Sequence, residues 1–144
     1  MHERIDPAAC IFCRIVAKQA PAHVVCEDAA TLAFMDIFPV ADGHVLVIPK
    51  AHAANLLEAQ AADLAAVIAR SRHVARAIRE VLAPDGIGVF QLNGAAAGQT
   101  VFHYHMHLIP RKQGDSVQVH SRTPGDPARL AELAGRLARA MEDA

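Results

Sequence analysis

Between residues 102 and 109 the chain reads Phe-His-Tyr-His-Met-His-Leu-Ile, placing histidines at 103, 105 and 107. No other stretch restricts the possible folds as tightly. Aromatic, β-branched and apolar residues favour an extended run, and a strand sends successive side chains to opposite faces. The pattern predicts a strand from Phe102 to Ile109 with His103, His105 and His107 on one face. Tyr104, Met106 and Leu108 then lie on the other, against a helix or core. At about 3.3 Å per residue the outer two histidines are about 13 Å apart, too far to share one metal through bonds of about 2 Å. A neighbouring pair can still hold an ion, so at least one imidazole is left as a proton donor, a proton acceptor or a nucleophile.

The segment before this strand carries Asn93-Gly94 and then Gly98-Gln99-Thr100. It combines backbone N–H groups that glycine leaves accessible, an amide and a hydroxyl, all suited to phosphate oxygens. Two glycines alone make an ordinary turn. Directly before three co-facial histidines they read as a phosphate cradle.

These residues carry a resemblance. Asn93-Gly94, Ala97-Gly98-Gln99, Val101 and His103-Tyr-His105-Met-His107-Leu-Ile109-Pro110-Arg111 resemble the signature of the histidine triad family of nucleotide hydrolases and transferases, in particular its small bacterial Hint-like members. A second block, Phe34-Met-Asp36-Ile37-Phe-Pro39 with Gly43-His44-Val-Leu-Val-Ile-Pro49-Lys50-Ala-His52, fits the same pattern. The resemblance implies an α+β, HIT-like fold: a five-stranded, mostly antiparallel sheet with one long helix plus a C-terminal helix. It also implies a homodimer and a purine nucleotide substrate. By resemblance, His105 attacks the α-phosphorus, His107 holds a phosphate oxygen and protonates the leaving group, and His103 fixes the strand. Asn93, Gly98, Gln99 and Thr100 hold the phosphate. Asp36 accepts hydrogen bonds from a ribose, Ile37 with Phe34 and Phe38 walls the base, and His44 stands beside the triad or is an ordinary strand-end histidine.

The length of 144 residues suits a single domain, 1–144, with the matched core at about 10–111 and a C-terminal loop and helix at 112–144. Hydrophobic residues make up 53% and aromatics only 4%, so the core is expected to be aliphatic. A net charge of −1 argues against a general nucleic-acid or membrane-surface binder. The opening Met-His-Glu-Arg-Ile-Asp-Pro lacks the apolar core of a signal peptide, and a cytoplasmic protein is expected. Three cysteines, Cys10, Cys13 and Cys26, favour metal ligation over a structural disulfide in a reducing compartment. Taken alone, Cys10-x-x-Cys13 equally suits a redox pair or two packed thiols. The resemblance supplies His52 and His103 as partners, completing a Cys2His2 set for structural zinc. Cys26 reads as a small core or strand residue.

Elsewhere, Val24–Glu27 and Thr31–Met35 form a hairpin around Asp28, and residues 44–49 a buried third strand. Asn55-Leu-Leu-Glu58 has capping-box spacing. Leu64, Val67, Ser71, Val74, Ile78 and Leu82 recur at helical spacing, which predicts one helix of about twenty residues whose arginines are solvated and which Pro84-Asp85-Gly86 ends. A fourth strand is expected at residues 88–93. Residues 114–125 are polar and turn-rich, and Asp126-Pro127 opens a terminal helix through Leu130, Leu133, Leu137 and Met141, packed on the domain or across a dimer. His73 and His120 are assigned to the surface. Three functions fit: a hydrolase or transferase cleaving the α-phosphate bond of a phosphoramidate, acyl-adenylate or dinucleoside polyphosphate; a non-catalytic nucleotide sensor with structural zinc; or a zinc hydrolase using metal-bound water.

Overall fold

The computed structural model describes residues 7–142; the first six residues and the last two lie outside the described residues. Its elements are α1 (Ile11–Val16), β1 (Val24–Glu27), β2 (Thr31–Met35), β3 (Val45–Pro49), α2 (Ala61–Leu82), β4 (Gly86–Phe90), β5 (Met106–Arg111) and α3 (Pro127–Glu142). The strands form one five-stranded sheet in the order β1-β2-β3-β5-β4, with every neighbouring pair antiparallel. This is the α+β architecture the sequence predicts.

Alternation along the strands divides the core in two. Ala33, Met35, Val45, Val47, Met106 and Leu108 face α2 and α3, meeting Val67, Val74, Ile78, Leu133 and Leu137. Leu32, Phe34, Leu46 and Ile48 face the other way and meet Phe12 and Ile15 of α1. His107 pairs across from Leu46, so it belongs to this second face. The site is therefore built on the α1 side, while the two long helices seal the back. α3 packs on its own domain, through Leu130, Leu133, Leu137 and Met141. Among the described residues, no helix is long and apolar enough to cross a membrane.

The histidine strand is shorter than predicted. β5 begins at Met106, and its ladder with β3 runs Val45↔Leu108, Leu46↔His107, Val47↔Met106. Continuing it would place Pro49 in the ladder, and proline has no N–H to contribute. His103 and His105 instead lie on a segment tied down by other bonds, including Tyr104 N–H to the Ala53 carbonyl at 2.8 Å.

Smaller differences have local causes. The Asn55 motif makes a separate turn, with Oδ1 accepting from Leu57 N–H at 2.9 Å, and α2 starts after an extended Gln60. β4 begins two residues earlier than expected because Ala83, in the left-handed region, caps α2 and delivers Gly86 directly opposite Arg111. Arg70 is not a solvated arginine. It reaches Asp28 Oδ2 at 2.5 Å while Asp28 Oδ1 accepts from Ala30 and Thr31, fastening α2 to the β1–β2 turn. Gly43 is required, since its φ is +86° and a Cβ would stand 2.3 Å from Leu82 Cδ1.

Candidate active site

Pro49 ends β3 and also orients the first histidine. Its carbonyl oxygen accepts the Nε2–H of His103 at 2.8 Å, which leaves Nδ1 of a neutral ring unprotonated. That nitrogen lies 3.5 Å from Cys10 Sγ, 3.5 Å from Cys13 Sγ and 3.2 Å from His52 Nδ1. Cys13 Sγ is 3.1 Å from His52 Nδ1. All four donors predicted for a metal thus converge. Metal bonds of about 2.0–2.3 Å give a tetrahedron with edges of roughly 3.3–3.8 Å, close to these separations. Burial and the adjacent Cys10 push the Cys13 thiol up to about 12. The cluster fits a divalent cation that would draw off the thiol protons.

The next two histidines carry opposite tautomers. The His103 carbonyl can only accept, so His105 donates to it from Nδ1 at 2.7 Å and keeps a lone pair on Nε2. His44 is set by the Val40 N–H, which donates to its Nδ1 at 3.1 Å, so the His44 proton is on Nε2. That nitrogen lies 3.0 Å from His107 Nδ1, which must accept, and His107 is left with its proton on Nε2. Rings 105 and 107 are 4.9 Å apart, a nucleophilic nitrogen beside a proton donor. Phe12 of α1 lies edge-on to His103 at 5.9 Å and to His105 at 5.2 Å, wedging the row from beneath.

Burial keeps these rings neutral. It pulls His44 down to about 3, His103 to about 4 and His107 to about 2, and lowers His105 as well. Asp36 lies 3.5 Å from His44 Nε2 through Oδ2, and its Oδ1 accepts from Phe38 N–H at 2.8 Å. Burial raises this carboxyl above its ordinary range. Asp36, His44 and His107 also bring three donor atoms together, but the Val40 and His44 hydrogen bonds organise them as a proton chain. Ile37 and Phe38 expose large apolar side chains next to Asp36. Phe34 does not line this opening; it is buried against Phe12.

The glycine-bearing loop lies in front of the histidines, although its donors are arranged differently from the expectation. The Gln99 side chain turns inward, accepting from Gly94 N–H at 2.8 Å and donating to the carbonyls of Ala54 and Val101. Asn93 Oδ1 accepts from Leu56 N–H at 2.8 Å, and its amide pairs with Gln91. The N–H of Gly98 bonds to Ala95, and Gly98 itself has φ +101°. Gln99, Asn93 and Gly98 therefore shape the loop through its own bonds. The N–H groups of Thr100 and Val101 make no backbone hydrogen bond among the described residues, and Thr100 is exposed.

One residue assigned to the surface stands in the site. His120 is exposed, yet its Nε2 is 2.6 Å from the Gly98 carbonyl oxygen and its ring is 5.7 Å from that of His107. No periodicity marks it, because it lies in the irregular segment between β5 and α3, and only the path of that segment brings it back.

The family model described as HIT domain matches residues 17–114. A Bacillus subtilis relative named Protein hit is 40% identical over 136 residues, covering 92% of this chain and 94% of its own. An Arabidopsis thaliana relative named Adenylylsulfatase HINT3 is 38% identical over 106 residues, 74% of this chain and 54% of that protein. The crystal structure of a Zn-bound histidine triad family protein from Mycobacterium smegmatis superposes with a TM-score of 0.84 at 38% identity, covering 96% of each chain. Sequence, fold and the row of imidazoles lead to one conclusion: the chain belongs to the histidine triad family.

Proposed function

We propose that the protein is a nucleotide hydrolase or transferase that cleaves the α-phosphate bond of a purine nucleotide derivative through a covalent nucleotidyl-histidine. The observation that carries this reading is the pair of opposite tautomers on adjacent rings, His105 with its lone pair on Nε2 and His107 with its proton there. The His105 lone pair forms an N–P bond, the bond from phosphorus to the leaving group breaks, and the electron pair goes to the departing atom. His107 gives its Nε2 proton to a leaving group that needs one, while the His44 Nε2 proton moves to His107 Nδ1 and the Asp36 carboxyl, 3.5 Å from His44 Nε2, replaces it, so that the negative charge ends on a carboxylate. Water then attacks phosphorus, returns a proton to His107 and releases His105 and the nucleoside monophosphate. Thr100 and the N–H groups of Thr100 and Val101 receive the phosphate oxygens, Asp36 receives the ribose hydroxyls, and Ile37 and Phe38 border the base.

Cys10, Cys13, His52 and His103 would hold a structural zinc ion. Four protein donors leave no position for a reactive water, which favours the metal as a cross-link behind the catalytic row. The relative named an adenylylsulfatase supports hydrolysis of a nucleotide α-phosphate bond. Unpaired thiols in a metal-binding arrangement suit the cytoplasm. A homodimer formed along the edge of β4 is the expected assembly.

The test is intact-protein mass spectrometry after brief mixing with an adenylated substrate, alongside steady-state turnover. Wild type is expected to carry an acid-labile AMP adduct, and His105→Ala to lose both adduct and turnover by 10³-fold or more on the order expected for a nucleophile, while remaining folded. Turnover near wild type in the variant would end the assignment. Nucleotide binding without turnover in the wild type would make the protein a sensor instead.

A further inference from the structure

Residues 112–125 form a strap that crosses the mouth of the site. At one end a turn closes between Lys112 and Asp115, Gln113 N–H bonds to Asp85 at 2.7 Å, and the Arg111 guanidinium bonds to the Ser116 carbonyl. At the other, Gly125 N–H bonds to the Ile37 carbonyl at 2.8 Å, beside the residues that border the base. Between these anchors, among the described residues, the hydrogen bond that ties the strap to the rest of the fold runs from His120 Nε2 to the Gly98 carbonyl.

The rings follow an order. His105 lies 4.9 Å from His107, and His107 lies 5.7 Å from His120, nearly perpendicular to it at 83°. His105 and His107 are buried, whereas His120 is exposed. In-line displacement puts the leaving group on the side of phosphorus away from the nucleophile. With phosphorus placed between His105 and the two further rings, that side is the one of His107 and His120, and the His120 ring is the exposed one.

On the reading given under Proposed function, we propose that His120 is a further active-site residue, one that meets the leaving group and favours those that depart as anions, such as sulfate or phosphate. A carbonyl accepts only, so the proton on His120 Nε2 is engaged with Gly98 and Nδ1 is the nitrogen left for a ligand. With a second proton there, the ring is a cationic donor. Around it stand the buried rings of His107, His105 and His44, together with Asp36. The chemistry then divides by leaving group. An amine needs a proton to depart, and His107 carries one on Nε2. A sulfate or phosphate takes the electron pair from the breaking P–O bond onto its bridging oxygen and needs a positive partner, which His120 provides.

The experiment compares kcat/KM for adenosine 5′-phosphosulfate and adenosine 5′-phosphoramidate, two substrates that share AMP, in wild type, His120→Ala and His120→Gln. Glutamine keeps an N–H for Gly98 and cannot carry the charge, so it separates latching of the strap from contact with the leaving group. Both variants are expected to lower the phosphosulfate-to-phosphoramidate ratio by tenfold or more. A ratio within twofold of wild type in both, whether through equal loss or no loss, overturns the proposal, as does a fall in alanine that glutamine restores. Wild type inactive on both substrates overturns the nucleotidyl-transfer reading itself, and this proposal with it.

Discussion

Neutral imidazoles in the interior make the protein sensitive to acid. His44 and His107 share a hydrogen bond, are almost fully buried and are held far below the ordinary histidine range by that burial. The unfolded chain therefore binds protons on both from about pH 6.5 downward, while the folded one refuses them to about pH 3. Stability is present in full above about 6.5 and is lost as the pH falls through that window, at up to about 1.4 kcal/mol per histidine per pH unit. Urea unfolding at pH 7.5 and 5.5 is expected to differ by roughly 2–3 kcal/mol from these two rings. Equal midpoints would mean that the rings are charged in the folded state.

At the level of elements, α1 has the most to lose. Six residues do not make a stable helix alone. Burial of Phe12 and Ile15 holds it, each contributing about 1.5–3 kcal/mol, along with Cys10, whose Sγ accepts from Cys13 N–H at 3.4 Å. Because Phe12 lies against both His103 and His105, the Cys2His2 cluster is mechanically joined to the proposed nucleophile. Cys10→Ala is expected to lower zinc content from near one ion per chain and to reduce the melting temperature by roughly 2–4 °C for each kcal/mol lost. It should also cut turnover although α1 touches no substrate. Elemental analysis with a thermal melt checks this, and unchanged metal and melting would remove the cluster from the fold's support. The Cys-x-x-Cys pair and the alternating histidines were legible in the sequence because each depends on local spacing. The start of β5 was not, because it depends on Pro49, a residue of another strand lacking the N–H that a longer ladder needs.

For the whole molecule, the sheet has two edges, β1 and β4, and Val89 on β4 is 51% exposed. A twofold pairing of β4 strands would cover it. Light scattering is expected to give the mass of two chains, and Val89→Asp to give one; a wild-type monomer would remove the dimer reading. The sheet and its helices could be read from hydrophobic period and motif, and the donor set for the metal from the family resemblance. The inward turn of Gln99 and the arrival of His120 could not, since each depends on where a distant segment returns.

The strap has few packing duties, and most of its side chains are exposed. The proposed catalytic histidines are buried in the core, whereas the residues overhead are mostly exposed and can vary at little risk to folding. Descendants of such a chain could therefore acquire new substrates by drift in this one segment, keeping an old reaction while changing what it is applied to.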